Sequence, residues 1–279
     1  MWKLLKIELF KIFRRPRTYI AFFAIAAIVL LIQMAFYVDG KVYLDFVLGS
    51  LKDNFLIEGN ILNGYLVCFV ILQMLIVHVP LLIALVAGDM IAGEANAGTL
   101  RLLASKPISR VQFMICKFLA SLIYTLMLLF FLAFLALGLS VLIFGPGDLI
   151  VTKSVMIIIL DRTDVLWRYM AAFAFAALSM TTVASLAFLF SVFGENSIGP
   201  IVGTMCVIIV FTIFTTLEIP FFNSMKPFLF TNHMLNWKGF FEEPVDYREV
   251  LKSALILTAH IVFFVSLAIA AFQKKDILS

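Results

Sequence analysis

Six runs of about twenty or more mostly apolar residues dominate this sequence and leave it few ways to fold. They lie at 18–38, 65–87, 113–144, 167–193, 198–220 and 253–272. About 20 such residues in a helix span the hydrocarbon core of a bilayer. Inside lipid each backbone N–H and C=O needs an internal partner, which a helix supplies. The expected fold is therefore all-α and integral to the membrane, with six transmembrane helices. The third run exceeds one span, so it begins outside the membrane or tilts.

Composition excludes the soluble alternatives. Only 14% of the 279 residues are charged and 63% are hydrophobic, too little polar surface to cover a soluble globule. The net charge of +4 gives no reason to expect a nucleic-acid partner. Cys68, Cys116 and Cys206 are odd in number and sit inside apolar runs, so they read as small buried hydrophobes, with no metal site. The first run is too long for the apolar core of a cleavable signal and should stay in the membrane.

Six spans put both termini on one side. That side carries twelve Lys and Arg against five Asp and Glu, a net +7; the other carries nine against twelve, a net −3. The positive-inside rule places both termini in the cytoplasm, as in a bacterial inner-membrane protein. Outer loops are then expected at 39–64, 145–166 and 221–252. Within the second, Val155–Leu160 is too short to span and reads as an interfacial or re-entrant piece.

Residues 1–16 read as an amphipathic interfacial helix. Ile12, Leu5, Leu9, Trp2 and Phe13 share one arc, with Lys3, Lys11, Arg14 and Arg15 largely opposite. Such a helix can rest at the headgroup boundary, its bases meeting anionic lipid. Pro16 marks a bend before the first span.

The cytoplasmic loop at 88–112 is the most informative stretch. Residues 89–104 can form a short helix with Glu94 and Arg101 two turns apart, and Asp89 near its start where the helix dipole favours an acid. Gly98 and Thr99 weaken it, Pro107 stops it, and Ser109 can cap the next helix. The ordered pattern E-x3-G-T-L-x-L-L-x3-P-I-S-R-x6-K runs from Glu94 to Lys117. It resembles the first cytoplasmic loop of ABC-2 type permeases, among them the nitrous-oxide-reductase maturation, gliding-motility and bacitracin or lantibiotic resistance permeases.

The resemblance implies one domain over 1–279, the permease subunit of an ABC exporter. Its coupling helix would dock on a separate ATPase subunit through Asp89, Glu94, Gly98, Thr99, Leu100, Arg101, Leu103, Pro107, Arg110 and Lys117. The turn holding Glu195 and Asn196 would be a second, smaller cytoplasmic contact. Two copies of the chain would assemble with two ATPase subunits, which would hold the ATP and Mg; the chain itself would carry no cofactor. The alternative is an ABC-type transmitter or maturation factor that acts on a periplasmic or other outer-face protein without moving a solute.

The chain contains no G-x4-G-K-[ST], no H-E-x-x-H and no G-x-S-x-G. No catalytic or metal-binding residue is therefore assigned, and the chain is not expected to be an enzyme. Among polar groups within the spans, His78, Thr182 and His260 are candidates for a substrate path. The competing reading for each is hydrogen bonding and close packing between helices.

Overall fold

The computed structural model describes residues 1–52, 61–100, 109–152, 157–217 and 219–275. Arg101, Leu103 and Pro107 of the expected coupling segment, and Glu218, lie outside the described residues. Five helices are long and apolar enough to cross a membrane, and six if one bent pair counts as a single span. The chain is an α-helical, multi-pass membrane protein.

Helix α1 (Trp2–Arg14) is followed by Arg15 in an extended conformation. Helix α2 (Pro16–Lys52) begins on Pro16, where the missing N–H is one the first helical turn leaves unpaired anyway. The first span reaches Asp45, and helix continues to Lys52 past a kink at Asp39. The outer loop expected from residue 39 is thus helical in its first part. Between Gly40 and Lys52 there is no proline to stop it.

The second apolar run is a bent pair of helices rather than one continuous helix. Helices α3 (Gly64–Met74) and α4 (His78–Ala87) meet at 58°. Pro80 explains the break: it has no N–H for the carbonyl of Ile76, and its ring would crowd that carbonyl. Asn63 caps α3 by accepting from the N–H groups of Tyr65 and Leu66, and donates to the Asp148 carbonyl at 2.7 Å.

Helix α5 (Asp89–Asn96) is shorter than the expected 89–104. Gly98, at φ +67°, turns the chain into the left-handed region. The Thr99 N–H then bonds the Glu94 carbonyl and the Gly98 N–H that of Ala95, the paired closure that ends many helices. Helix α6 (Arg110–Ala133) starts on Ser109, whose hydroxyl accepts from the Gln112 N–H as expected. It runs through a π-helical turn (Phe134–Leu139) into α7 (Ser140–Phe144), so the long third run is one helical body. Gln33 of α2 donates to the Leu135 carbonyl within that wider turn and to the Ser140 hydroxyl.

An antiparallel ribbon follows, β1 (Leu149–Thr152) with β2 (Ile157–Leu160), pairing Leu149 with Leu160 and Ile150 with Ile159. Of the apolar piece Val155–Leu160, the described part Ile157–Leu160 is a strand of this ribbon, as its three consecutive β-branched isoleucines favour. Helices α8 (Arg162–Phe193) and α9 (Ile198–Thr216) cover the fourth and fifth apolar runs, and both are long and apolar enough to cross a membrane. The segment expected as the last outer loop is mostly short helices: α10 (Pro220–Asn223), α11 (Phe230–Met234), and 3₁₀ turns at Lys226–Phe228 and Leu235–Phe241. Helix α12 (Tyr247–Lys274) begins earlier than residue 253 because Asp246 caps it through the Arg248 and Glu249 N–H groups.

Helix α8 is the centre of the bundle, packed against α4, α5, α6, α9 and α12. Two thirds of its most apolar stretch is buried, against 17–28% in the other four helices long and apolar enough to cross a membrane, which turn most of their apolar surface outward. Both described termini lie at one end. The Met1 carbonyl is near Cys116 of α6, and Lys275 donates to the Val192 carbonyl at the close of α8. That near end also holds α1 and α5. The ribbon and residues 219–246 form the far end.

Candidate functional site

At the near end, α1 is packed against protein along one face. It packs on α6 and α2, with Leu5, Glu8 and Ile12 turned inward. Of the expected arc only Trp2 is fully outward, and the apolar Ile7 and Phe10 on the other side of the helix are exposed as well. The inward face is set by Glu8, which flanks the apolar stripe and finds a buried cation.

That cation is Lys117. Its ammonium donates to Glu8 Oε2 at 2.8 Å and to the Met90 carbonyl at 2.9 Å, and lies 2.8 Å from Glu94 Oε1 as an ion pair. Lys11 completes the cluster, bonding Glu8 Oε1 at 2.9 Å and Glu94 Oε1 at 2.8 Å. Lys117, Glu8 and Glu94 are 1–2% exposed. Two acids and two bases balance, which is what allows full charges to be buried here. Burial alone would raise the Glu8 carboxyl, but the charges and hydrogen bonds of Lys117 and Lys11 outweigh it and hold it below the usual glutamate value. Burial alone would lower Lys11, yet its bonds to Glu94 and Glu8 leave it above the ordinary lysine value.

A second knot sits one turn away. Asp89 accepts from Arg15, from Arg17 at 2.7 Å and from the Ser197 hydroxyl. Its carboxylate lies over Gly93, where a Cβ would come within 2.4 Å of Oδ1. The Ser191 hydroxyl of α8 accepts from the N–H groups of Ile91 and Ala92, both at 2.9 Å. It therefore caps the first turn of α5 from another helix. In this way α5 is tied to α1, the start of α2, α6, α8 and the turn before α9.

The structure thus brings together Asp89, Glu94 and Lys117 from the expected coupling set. Gly98 and Thr99 form the exposed closure of α5, and Leu100 is buried. Arg110 goes elsewhere, donating to the carbonyls of Gln273 at 2.9 Å and Lys275 at 3.0 Å at the end of α12. Glu195 and Asn196 are exposed. Asn196 caps α9 through the Ile198 and Gly199 N–H groups, and neighbouring Ser197 makes the contact with α5.

The three candidates for a substrate path do not share a bonded network. His78, Thr182 and His260 each bond a carbonyl of the preceding turn, those of Met74, Leu178 and Ile256. His78 is exposed at the break of the second span, Thr182 is buried in α8, and His260 packs against Phe230 and Phe264.

The far end has its own anchor. Arg168 of α8 is buried and donates to Asp164 Oδ2 and to the carbonyls of Phe240 at 3.0 Å and Glu242 at 2.8 Å, and pairs with Glu243. His233 Nε2 lies 2.9 Å from the Pro227 carbonyl, an acceptor only, so Nε2 carries a hydrogen. In the neutral ring Nδ1 then accepts from the Ser253 hydroxyl, also at 2.9 Å. Among the described residues no group of His, Cys, Asp and Glu could hold a metal.

Residues 22–278 match the family described as protein of unknown function, DUF2705. The chain belongs to this DUF2705 family. The matched region includes Asp89, Glu94 and Lys117 and begins after α1. A relative is the uncharacterized protein YhcI of Bacillus subtilis strain 168, 26% identical over 203 residues. That match covers 69% of this chain and 63% of YhcI, so the chain spans less than two thirds of that relative's length.

Sequence reasoning did not place Glu8, Lys11, Arg15, Arg17, Ser191 or Ser197 in this site of the DUF2705 chain. The available signal was Glu8, one acid beside the apolar stripe of an otherwise basic helix.

Proposed function

We propose that the chain is the membrane-spanning permease subunit of an ABC-2-like exporter, with both termini in the cytoplasm of a bacterial inner membrane. Two copies would assemble with two copies of a separate ATPase, which holds the ATP and Mg. The observation that carries this reading is the placement of α5. It is a short helix with an exposed closing turn at Asn96–Thr99, while its body is fixed by buried charge to α1 and α6 and by hydrogen bonds to α8 and Ser197.

A load on such a helix cannot be absorbed locally. Shifting α5 alone would strand Glu94 or Lys117 as an unpaired buried charge, a cost of several kcal/mol. The low-cost response is for α1, α5 and the near ends of α6, α8 and α9 to move together. Nucleotide-driven closure of the ATPase would in this way tilt spans on both sides of the 88–112 loop and open a path alternately to either face. The chain itself makes and breaks no covalent bonds.

Purification of the tagged chain from its native membranes tests the proposal. A stoichiometric P-loop ATPase and vanadate-sensitive ATP hydrolysis are expected; a chain that purifies intact without either contradicts it. A second reading is mechanical transmission to an outer-face protein, favoured by the far end, where Arg168 fixes the 240–243 segment to α8. Hydrolysis stimulated by an outer-face protein and by no solute would select that reading.

A further inference from the structure

The break in the second span opens onto a cavity of about 120 Å³. It lies where α3, α4, α6, α8, α9 and the 231–237 segment meet, away from the near-end charge cluster. Its walls are almost wholly apolar: Leu75, Val79, Leu132, Ala172 and Trp237 form the buried part, and Val77 and Leu235 are exposed at its edge. A cavity of comparable size lined by Leu, Ile and Phe stays dry and takes up benzene. Water is therefore not the natural occupant.

One polar atom breaks the pattern. Thr231 lines the cavity, is 5% exposed, and its hydroxyl has no hydrogen-bond partner among the described residues. The other buried hydroxyl in the lining, Ser179, is satisfied by the Phe175 carbonyl. An unpaired buried hydroxyl is costly and calls for a partner. In an apolar chamber that partner must arrive on an apolar molecule.

We propose that this cavity binds the carbonyl end of an acyl ligand, with the Thr231 hydroxyl donating to the carbonyl oxygen, the first few carbons filling the 120 Å³ and the rest of the chain leaving past Val77 and Leu235. The edge at Val77 and Leu235 is exposed and apolar, which suits entry of a hydrocarbon chain from a bilayer rather than from water. The site does not depend on the ATP-driven reading; it stands whether the protein transports the ligand or holds it.

Trp237 provides the readout. In the Trp2→Phe/Trp167→Phe variant it is the sole tryptophan. Bromine on an acyl chain quenches a tryptophan in contact. The purified chain in nanodiscs is titrated with a dibrominated fatty acid, and in parallel prepared with dibrominated phosphatidylcholine. Saturable quenching in either arm supports the site, and the arm that saturates identifies a free acyl compound or a bilayer lipid as the source. Ala176→Phe, which fills the cavity, should abolish it. Thr231→Val, which keeps the shape and cannot misfold through an unpaired group, should weaken it about three- to tenfold. Quenching that rises linearly without saturation, or is unchanged in both variants, overturns the proposal.

Discussion

Lys117 of α6 and Glu8 of α1 form an ion pair at 2.8 Å with both side chains almost completely closed off. The two residues are 109 positions apart, so this pair, and not local helix geometry, fixes where α1 sits. It also connects the first helix of the chain to the loop that carries α5, because Glu94 shares the same ammonium.

Removing that ammonium should be severe. Lys117→Met leaves Glu8 and Glu94 facing each other with only the half-buried Lys11 between them, and should cost about 3–5 kcal/mol. The double variant Lys117→Met/Glu8→Leu should lose less than the two single losses combined, since neither charge is then stranded. Thermal unfolding in detergent checks both statements; strict additivity would show that the pair is not coupled.

The pH range of α1 docking follows from its titrating groups. Glu8 is held below its ordinary value, so its contribution is present above about pH 4.5 and is lost as pH falls through the lower folded value. Lys11 is raised, so its contribution is full below about pH 10.5 and is lost as pH rises through the higher folded value. Hydrogen exchange of residues 2–14 should thus be flat, after correction for intrinsic rate, across neutral pH and rise at both extremes. A step near pH 6–7 would contradict this assignment.

Ser191→Ala should loosen α5 without unfolding the bundle. It removes the acceptor for two N–H groups in the first turn of α5, a loss of about 1–2 kcal/mol by analogy with caps elsewhere. Faster exchange at Ile91 and Ala92, with little change in the middle of α8, is the expected pattern.

Two glycines should behave oppositely. A Cβ on Gly64 would lie 2.5 Å from the backbone of Val141, where α3 and α7 approach too closely for either to yield. Gly64→Ala should therefore abolish stable folding. Gly199→Ala meets nothing within 4 Å and should be nearly neutral or slightly stabilising. Yield of monodisperse protein after extraction separates the two.

Much of this architecture was legible in the chain itself, and the exceptions have physical causes. The apolar runs announced the spans because nothing but a helix satisfies a backbone in lipid. The Ser109 cap and the break at Gly98 were readable because caps and breakers act locally. Pro80 carried the break of the second span, but a hydropathy run hides a proline whose flanks stay apolar. The ribbon was obscured because Ile157–Ile159 suits strand and membrane surface alike. Glu8 was least legible: its role depends on Lys117, and no local pattern links residues so far apart. The same holds for Ser191, a polar residue near the end of an apolar helix until α5 is placed against it. Thr231 gave no signal at all, since an unpaired hydroxyl exists only relative to a folded cavity.

The central claim is that α5, held by the Lys117 cluster, is the surface on which an ATPase acts. Site-specific photo-crosslinking in native membranes tests it most directly, with the probe placed at exposed Asn96 of α5 or at exposed Ile159 of the far-end ribbon. The account predicts a cross-link from position 96 to a P-loop ATPase and none from position 159. A cross-link to that ATPase from position 159, or none from position 96 in a complex that retains ATPase activity, would contradict it.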